Sequence, residues 1–137
     1  MNETITVKIV TPSNILLDFA AHIVTMPGEE GVFGVLPGHV PLIASLKTGV
    51  MNISGDGGDL RYFISSGIAE VTGTNINVIT EFALGLTGLK QTEIITKIAS
   101  LKDEISKETN IIKINSIKTN ITRYESLLNV LLATTNI

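Results

Sequence analysis

Histidine, glutamate and serine are the residues of this 137-residue chain whose side chains suit catalysis or metal binding. A zinc or calcium site needs several convergent ligands, usually four or more. The chain has no cysteine, no H-x-x-x-H pair and no Asp-rich loop, and its two histidines, His22 and His39, lie in different strand or turn contexts. We therefore predict no metal site, and we interpret His22 as an edge or face residue of a strand.

The acidic pair and the serine pair are equally poor candidates for catalysis. Glu29 and Glu30 are adjacent, so on an extended chain their carboxylates point to opposite sides and make a poor general acid and base. The stretch 65–67, Ser-Ser-Gly, lacks the G-x-S-x-G pattern that exposes a nucleophile, and we interpret it as a strand end or bulge. The sequence predicts no catalytic residue and no cofactor.

The stretch from Pro27 to His39 is the most unusual part of the sequence. Gly28, Gly31 and Gly34 imitate a phosphate-binding loop, but no Lys-Ser or Lys-Thr pair follows and no helical pattern begins there. Glycine permits a positive φ and proline fixes φ, while the apolar residues between them need burial. Two interpretations stay open: a strand pair with tight corners, or a rigid loop that carries acids and a histidine to a docking edge.

Composition narrows the class of protein. The net charge is -3 and aromatic residues make up only 4% of the chain, so neither a dense basic surface nor stacking platforms for bases are present, and we predict no nucleic-acid binding. Residues 1–86 carry three basic and eight acidic side chains, against seven and five in residues 87–137. We expect no signal peptide and no membrane insertion, hence a soluble, cytosolic chain.

Two periodicities divide the chain at about residue 86. In residues 1–86, apolar residues alternate with polar ones in eight or nine short runs, and the turns GDGG and GTN separate some of them. This pattern predicts an all-β sandwich or flattened barrel. We expect the two turns to use positive φ at glycine or asparagine.

In residues 87–137 the apolar spacing becomes helical and predicts an antiparallel two-helix hairpin. The first helix is expected from about Leu89, with Thr87 as its cap; the second has Thr109 or Asn110 as its cap, after a polar break over 106–110. The predicted seams are Ile94, Ile98, Leu101 and Ile105 in the first helix, and Ile114, Ile117, Ile121, Tyr124, Leu128 and Leu131 in the second.

Two blocks resemble the epsilon subunit family of bacterial F-type ATP synthases, which is called delta in mitochondria. The block PGEEGVFGVLPGHVPLIASLKTGVM, residues 27–51, resembles the family's glycine-rich P-G-H signature. The block FISSGIAEVTGTNINVITEFAL, residues 63–84, is similar to its second conserved block. The family's ten-stranded β-sandwich and two-helix hairpin match the organisation expected here, so the resemblance implies about ten strands and covers essentially the whole chain.

The resemblance implies a non-catalytic rotor subunit, peripheral on the cytoplasmic face of the bacterial membrane, that links gamma to the ring of c subunits. The sandwich, residues 1–86, would dock to gamma and the ring. Carried over by position, the ring-facing loop is Gly28, Glu29, Glu30, Gly31, Val32, Phe33 and Gly34, and the region facing gamma and the ring is Pro37, Gly38, His39 and Val40. Val32 stands where many members have a polar residue, so Glu29 or Glu30 would supply the polar contact.

The resemblance also implies a regulatory role for the hairpin, residues 87–137. In the family it either folds on the sandwich or extends into the alpha and beta subunits and inhibits ATP hydrolysis, and Lys113, Lys118 and Arg123 are the candidate contacts here. Some members bind ATP through an [IL]-D-x-x-R-A motif, but Lys90 and Glu93 replace its Asp and Arg, so we predict no ATP site. The alternative that remains is a free-standing sandwich adaptor with a helical clip for a partner.

Overall fold

The computed structural model describes residues 3–135, with side chains through residue 133. Ten strands are followed by two helices. The strands are β1 (Ile5–Val10), β2 (Ile15–Ala21), β3 (Ile23–Gly28), β4 (Gly31–Val35), β5 (Leu42–Leu46), β6 (Gly49–Gly55), β7 (Gly58–Ile64), β8 (Gly67–Val71), β9 (Asn75–Ile79) and β10 (Ala83–Gly85). The helices are α1 (Gln91–Lys107) and α2 (Ile111–Thr135).

The strands form one folded sheet in the order β10-β7-β6-β3-β5-β8-β9-β1-β2, with β4 paired to β3 beside this path. Most neighbours are antiparallel, but β1 and β9 run parallel. The predicted fold class, a ten-stranded sandwich or flattened barrel followed by a helical hairpin, is confirmed. The chain divides into two compact units between Thr87 and Gly88.

Strand alternation builds the core of the first unit. Ile5, Val7 and Ile9 of β1 are fully buried, while the residues between them are only partly buried. Because successive side chains leave a strand on opposite faces, this is the pattern of a strand with one face on the core. The same core holds Ala21, Val24, Met26, Val35, Leu46, Met51, Ile53, Ile64, Ala69, Val71, Ile76, Val78 and Ala83.

The predicted turns are present, but positive φ plays a smaller part in them than expected. In the GDGG turn only Gly58, the first residue of β7, has a positive φ, of 115°. The GTN turn has no such residue; instead the Thr72 hydroxyl accepts hydrogen bonds from the backbone N–H groups of Thr74 and Asn75, at 3.3 and 3.0 Å. The Thr72 hydroxyl therefore stabilises this turn, in place of the positive φ that the sequence predicts.

The Ser-Ser-Gly stretch is the strand end that the sequence predicts, because its two serines connect β7 to β8 and Gly67 is the first residue of β8. Ser66 has a φ of 56°, the left-handed region that non-glycine residues rarely adopt. The buried Thr80 hydroxyl donates to the Ser66 carbonyl at 2.5 Å and lies 3.2 Å from the Phe82 carbonyl. This buried hydroxyl holds the strained corner in place.

The second unit is the helical hairpin, in which α1 and α2 pack against each other. Asn110 caps α2, as predicted, since its side-chain oxygen accepts from the N–H groups of Ile112 and Lys113. The prediction that Thr87 caps α1 is wrong: the N-cap is Lys90, whose side chain makes no capping hydrogen bond. Helix α1 also continues through Lys107, into the expected polar break.

The seam of α2 differs from the predicted one by one position. Leu127 is fully buried, whereas Leu128, which the spacing placed on the seam, is only partly buried. The buried residues of the two helices are Ile94, Ile98, Leu101, Ile117, Leu127 and Leu131. Because Leu127 and Leu128 are adjacent, the helical spacing is compatible with burial of either one. The packing of α2 against α1 selects Leu127.

Candidate docking surface

Residues 28–34 belong to a β-hairpin, which is the strand pair of the two interpretations that the sequence leaves open. Gly31 to Gly34 lie in β4, which pairs with β3 from Gly28↔Gly31 to Val24↔Val35, and Glu29 and Glu30 form the exposed two-residue turn. Glycine is required at position 28, because a Cβ there would lie 2.7 Å from the Gly31 carbonyl oxygen and 2.9 Å from the Phe33 ring. The strand pair is therefore the interpretation that the structure supports.

The hairpin and β5 enclose a groove of about 610 Å³. All seven residues assigned to the ring-facing loop line it, together with His39 and the β5 segment 42–45. The acidic residues of this lining are Glu29 and Glu30, both exposed, and none of the lining residues is Lys or Arg. The structure thus gathers the predicted ring-facing residues into one acidic groove.

The segment after β4 brings one of its four predicted residues into this groove. His39 lines it, and its Nδ1 lies 2.7 Å from the Val40 carbonyl oxygen. Gly38, with a φ of 84°, donates its N–H to the Gly73 carbonyl in the β8–β9 turn at 2.9 Å. Pro37, Gly38 and Val40 lie outside the groove lining, and the Val40 side chain is 72% exposed.

A row of exposed aliphatic side chains on the outer face is a surface that we did not predict. Ile15 of β2 pairs with Val10 of β1, Val10 with Ile79 of β9, and Ile79 with Ile68 of β8. Ile15, Ile79 and Ile68 are 60%, 57% and 50% exposed. We call these four residues the aliphatic row. In the sequence, the row is indicated only by apolar residues near strand ends, at alternate positions where the side chain should face water.

The aliphatic row ends at Ser45 of β5, which pairs with Ile68. The Ser45 carbonyl accepts the N–H of Glu29 at 3.0 Å, so the row leads directly to the β3–β4 turn. The next row along the same face is polar and consists of Lys8, Asn77 and Glu70, which are cross-strand partners. On β5 this polar row is followed by Ile43, which pairs with Glu70 and is 74% exposed, so both rows reach the strand that lines the groove.

His22 lies between β2 and β3 rather than within a strand. Its Nε2 is 2.7 Å from Asp56 Oδ1, and its Nδ1 is 3.2 Å from the Glu3 carbonyl oxygen. The hydrogen bond with Asp56, and then that with Glu3, raise the pKa of His22 above its ordinary value of 6.5. Both nitrogens face acceptors, so the imidazolium form suits this site better than the neutral ring.

The three basic residues proposed for inhibition lie on α2. Successive members are five positions apart, which places them about 140° apart around a helix of 3.6 residues per turn. Lys113, Lys118 and Arg123 therefore point in three directions, and the Arg123 guanidinium donates to the Asn120 side chain at 3.3 Å. They do not form a single basic face.

No group of acidic, histidine or cysteine side chains able to hold a metal ion occurs among residues 3–135. Within the same part of the chain, neither helix is both long and apolar enough to cross a bilayer.

Comparison with known proteins places these surfaces in a family context. Residues 4–85 match the family model described as ATP synthase, delta/epsilon chain, beta-sandwich domain. An ATP synthase epsilon chain of Rickettsia felis is 48% identical over 111 residues, covering 79% of this chain and 99% of the relative. That of Rickettsia rickettsii is 49% identical with the same coverage. About a fifth of this chain has no counterpart in these shorter relatives.

Solved structures share the fold across both units. A chain in the Euglena gracilis mitochondrial ATP synthase (OSCP, F1 and c-ring) matches 97% of this chain and 82% of its own length, with a TM-score of 0.67 and 18% identity. A chain of the Tetrahymena thermophila mitochondrial central stalk and c-ring matches 96% of both chains, with a TM-score of 0.54 and 13% identity.

Proposed function

The chain belongs to the ATP synthase delta/epsilon family, as a non-catalytic epsilon subunit, and on that premise we propose that it couples rotation of the c ring to gamma. The observation that carries this proposal is the position of the aliphatic row beside the acidic β3–β4 turn. Two neighbouring surfaces of different chemistry suit two partners that must turn together. The family match leaves no feature that favours a free-standing adaptor.

The aliphatic row is the surface that we assign to gamma. Contiguous exposed apolar surface on a folded domain costs solvation free energy, and such surface commonly marks a protein interface. Ile79 and Ile68 are neighbouring members of the row, and each is about half exposed. Burial of these side chains in a complex would stabilise it by roughly 25 cal/mol for every Å² removed from water, before the entropic costs of association.

The gamma assignment is tested by measuring binding of the purified gamma subunit to the full chain. We expect Ile68→Asp and Ile79→Asp each to weaken binding at least about tenfold, because they place a charge in the apolar contact. Ile23→Asp is the matched control, since Ile23 is also an exposed strand residue, 41% exposed, but lies outside the row. Equal affinity of all three variants and the parent chain would contradict the assignment.

The acidic turn is the surface that we assign to the c ring. Glu29 and Glu30 project from the two-residue turn, and a charged contact there would fix orientation with little apolar burial. We expect the double change Glu29→Lys and Glu30→Lys to reduce proton-driven ATP synthesis in the assembled complex while leaving the melting temperature of the free chain unchanged. Asp18→Lys is the control, since Asp18 is an exposed acid of β2, at the far end of the strand order from β5 and outside the groove lining. Unchanged synthesis in the turn variant would remove the assignment.

The hairpin is the unit that we assign to inhibition of ATP hydrolysis, through contacts of the extended α2 with the alpha and beta subunits. Because Lys113, Lys118 and Arg123 point in different directions, a single acidic surface would contact at most two of them. Removal of residues 88–137 should leave assembly and coupling intact and raise hydrolysis by the complex. An unchanged hydrolysis rate would mean that the hairpin has a structural role only and does not inhibit hydrolysis.

ATP binding by the hairpin is not expected. Lys90 is the exposed N-cap of α1 and Glu93 lies in its first turn, where a carboxylate repels phosphate instead of donating to it. Calorimetric titration of the free chain with ATP should show no specific binding at micromolar concentration. Specific micromolar binding would overturn this expectation.

A further inference from the structure

We propose that the first half of α2, residues 111–122, is a conditional helix that melts locally, so that its lysines can contact the same acidic surface as Arg123. This inference rests on the proposed inhibition of hydrolysis and goes beyond it, because it names the movement that inhibition needs. Lys113, Lys118 and Arg123 point in three directions on a continuous helix. A rigid α2 therefore cannot bring all three to one surface.

The first half of α2 buries little apolar surface. Ile117 is its buried residue, and its other residues are partly buried or exposed. Ile111 and Ile112, in the first turn, are 66% and 77% exposed. The second half, by contrast, contains the fully buried Leu127 and the buried Leu131. Because tertiary packing supplies most of the stability of a helix in a protein, the first half is held less firmly than the second.

The composition of the first half also disfavours helix. Its sequence, IIKINSIKTNIT, contains five Ile, two Thr, two Asn and one Ser, with two Lys. The β-branched side chains of Ile and Thr lose rotamer freedom in a helix, while Ser and Asn compete for backbone hydrogen bonds. The second half, which starts at Arg123, contains four leucines, and leucine is a strong helix former. Composition and burial therefore both make the first half the weaker part of α2.

Two threonine hydroxyls bond to the helix backbone near the end of this half. The Thr119 hydroxyl donates to the Asn115 carbonyl at 3.0 Å. The Thr122 hydroxyl donates to the Lys118 carbonyl at 3.1 Å. A side-chain bond to the carbonyl four residues earlier competes with the helical N–H and often bends a helix. The end of the first half is therefore the position at which we place the boundary between melted and helical chain.

Local melting changes the reach of the two lysines. In the helix, residues five positions apart are separated by about 7.5 Å along the axis and by about 140° around it, whereas an extended chain spans up to about 17 Å over five residues, with no fixed direction. Lys113 and Lys118 would then turn toward the acidic surface that Arg123 contacts from the second half. Because these charged contacts offset the lost helix, the melted form is favoured when the partner is bound.

Residue-resolved amide hydrogen exchange by NMR tests local melting on the full, free chain. We expect the amides of residues 115–121 to exchange at least about tenfold faster than those of residues 124–128, because the first half would open without the second. Both sets lie beyond the first turn of α2 and before its last turn, so fraying of the ends does not enter the comparison. Equal or slower exchange in residues 115–121 would overturn the inference, whatever the hairpin does in the complex.

A helix-stabilising variant tests whether melting serves inhibition. The double change Asn115→Ala and Thr119→Ala replaces two exposed, weak helix formers and removes the Thr119 hydroxyl bond. We expect it to slow exchange in residues 115–121 and to raise ATP hydrolysis by the assembled complex at least about twofold, because the melted form becomes rarer. The control is Thr96→Ala with Ser100→Ala, which changes two exposed residues of α1 and should leave hydrolysis unchanged.

The results distinguish this inference from the proposed inhibition itself. If removal of residues 88–137 raises hydrolysis but the α2 variant does not, although its exchange is slower, the inference is overturned and inhibition by the hairpin stands. An equal rise in the α1 control would overturn the inference as well, because the effect would not depend on the first half of α2. If removal of residues 88–137 leaves hydrolysis unchanged, the inhibition proposal is overturned, and convergence of the basic residues is overturned with it.

Discussion

The two units of this chain reach stability by different means, and the contrast explains how their roles can differ. Sixteen buried hydrophobic side chains from both parts of the folded sheet form the core of the sandwich, most of them fully buried. Up to residue 133, where the description of side chains ends, the hairpin buries six, and its helices are rich in Ile, Thr and Asn, which favour helix weakly. A unit that transmits torque needs a single stiff packing, whereas a regulatory unit needs a packing that can be exchanged.

Truncation of one core side chain should show the largest effect. Ile9→Ala removes a fully buried side chain of β1, which lies between β2 and β9, and we expect it to lower the unfolding free energy of the sandwich by about 2 to 5 kcal/mol. Ile79→Ala is the control, since Ile79 is 57% exposed and should cost less than about 0.5 kcal/mol. Urea denaturation followed by circular dichroism measures both. Equal losses of unfolding free energy in Ile9→Ala and Ile79→Ala would mean that the aliphatic row is buried within this chain.

Truncation of the hairpin seam should have a smaller effect that stays within the hairpin. Leu127→Ala empties a fully buried position of α2, and we expect a loss of about 2 kcal/mol, the lower end of the range for such changes. Helical circular dichroism at 222 nm should fall at a lower temperature while the NMR signals of the sandwich keep their positions. Shifts throughout the sandwich spectrum would show that the two units unfold together and would break the contrast.

Titration of His22 should have a smaller effect on the sandwich. Since hydrogen bonding raises its pKa in the folded chain, its contribution to stability is complete below about pH 6.5 and is lost as the pH rises through the raised pKa. We expect the stability difference between the parent chain and Asp56→Asn to disappear at alkaline pH. Asp59→Asn, a nearby exposed acid, is the control and should show no such dependence; a difference that persists above pH 9 would contradict the assignment.

Titration of Glu108 should have the smallest effect, confined to the hairpin and of opposite sign. The N–H groups of Asn110 and Thr109 donate to this carboxylate and lower its pKa below the ordinary 4.5. Its contribution is present above about pH 4.5 and is lost as the pH falls through the lowered pKa. Glu108→Gln should reduce helical signal slightly at neutral pH, with Glu104→Gln as the control. A larger loss of helical signal in Glu104→Gln than in Glu108→Gln would contradict the role of Glu108 in stabilising the hairpin.

The sequence predicted the fold class well because both periodicities are long and regular. It failed where two interpretations had the same local pattern: a glycine-rich run suits a loop as well as β4, and Leu127 or Leu128 satisfies the helical repeat. Three-residue β10 gave too short a signal to detect. The predicted groove residues came from the resemblance, whereas the aliphatic row depends on the register of strands distant in sequence, which no local pattern encodes.

The parallel pairing of β1 with β9 bears on how the protein is made. Thr6 pairs with Asn75, a residue that follows it by half the length of the chain. On the ribosome, β1 emerges long before its second neighbour has been synthesised, so the sandwich cannot close until β9 has left the exit tunnel. Early in synthesis β1 therefore has only its hairpin partner β2, and the sandwich matures at about the time when the helices begin to emerge.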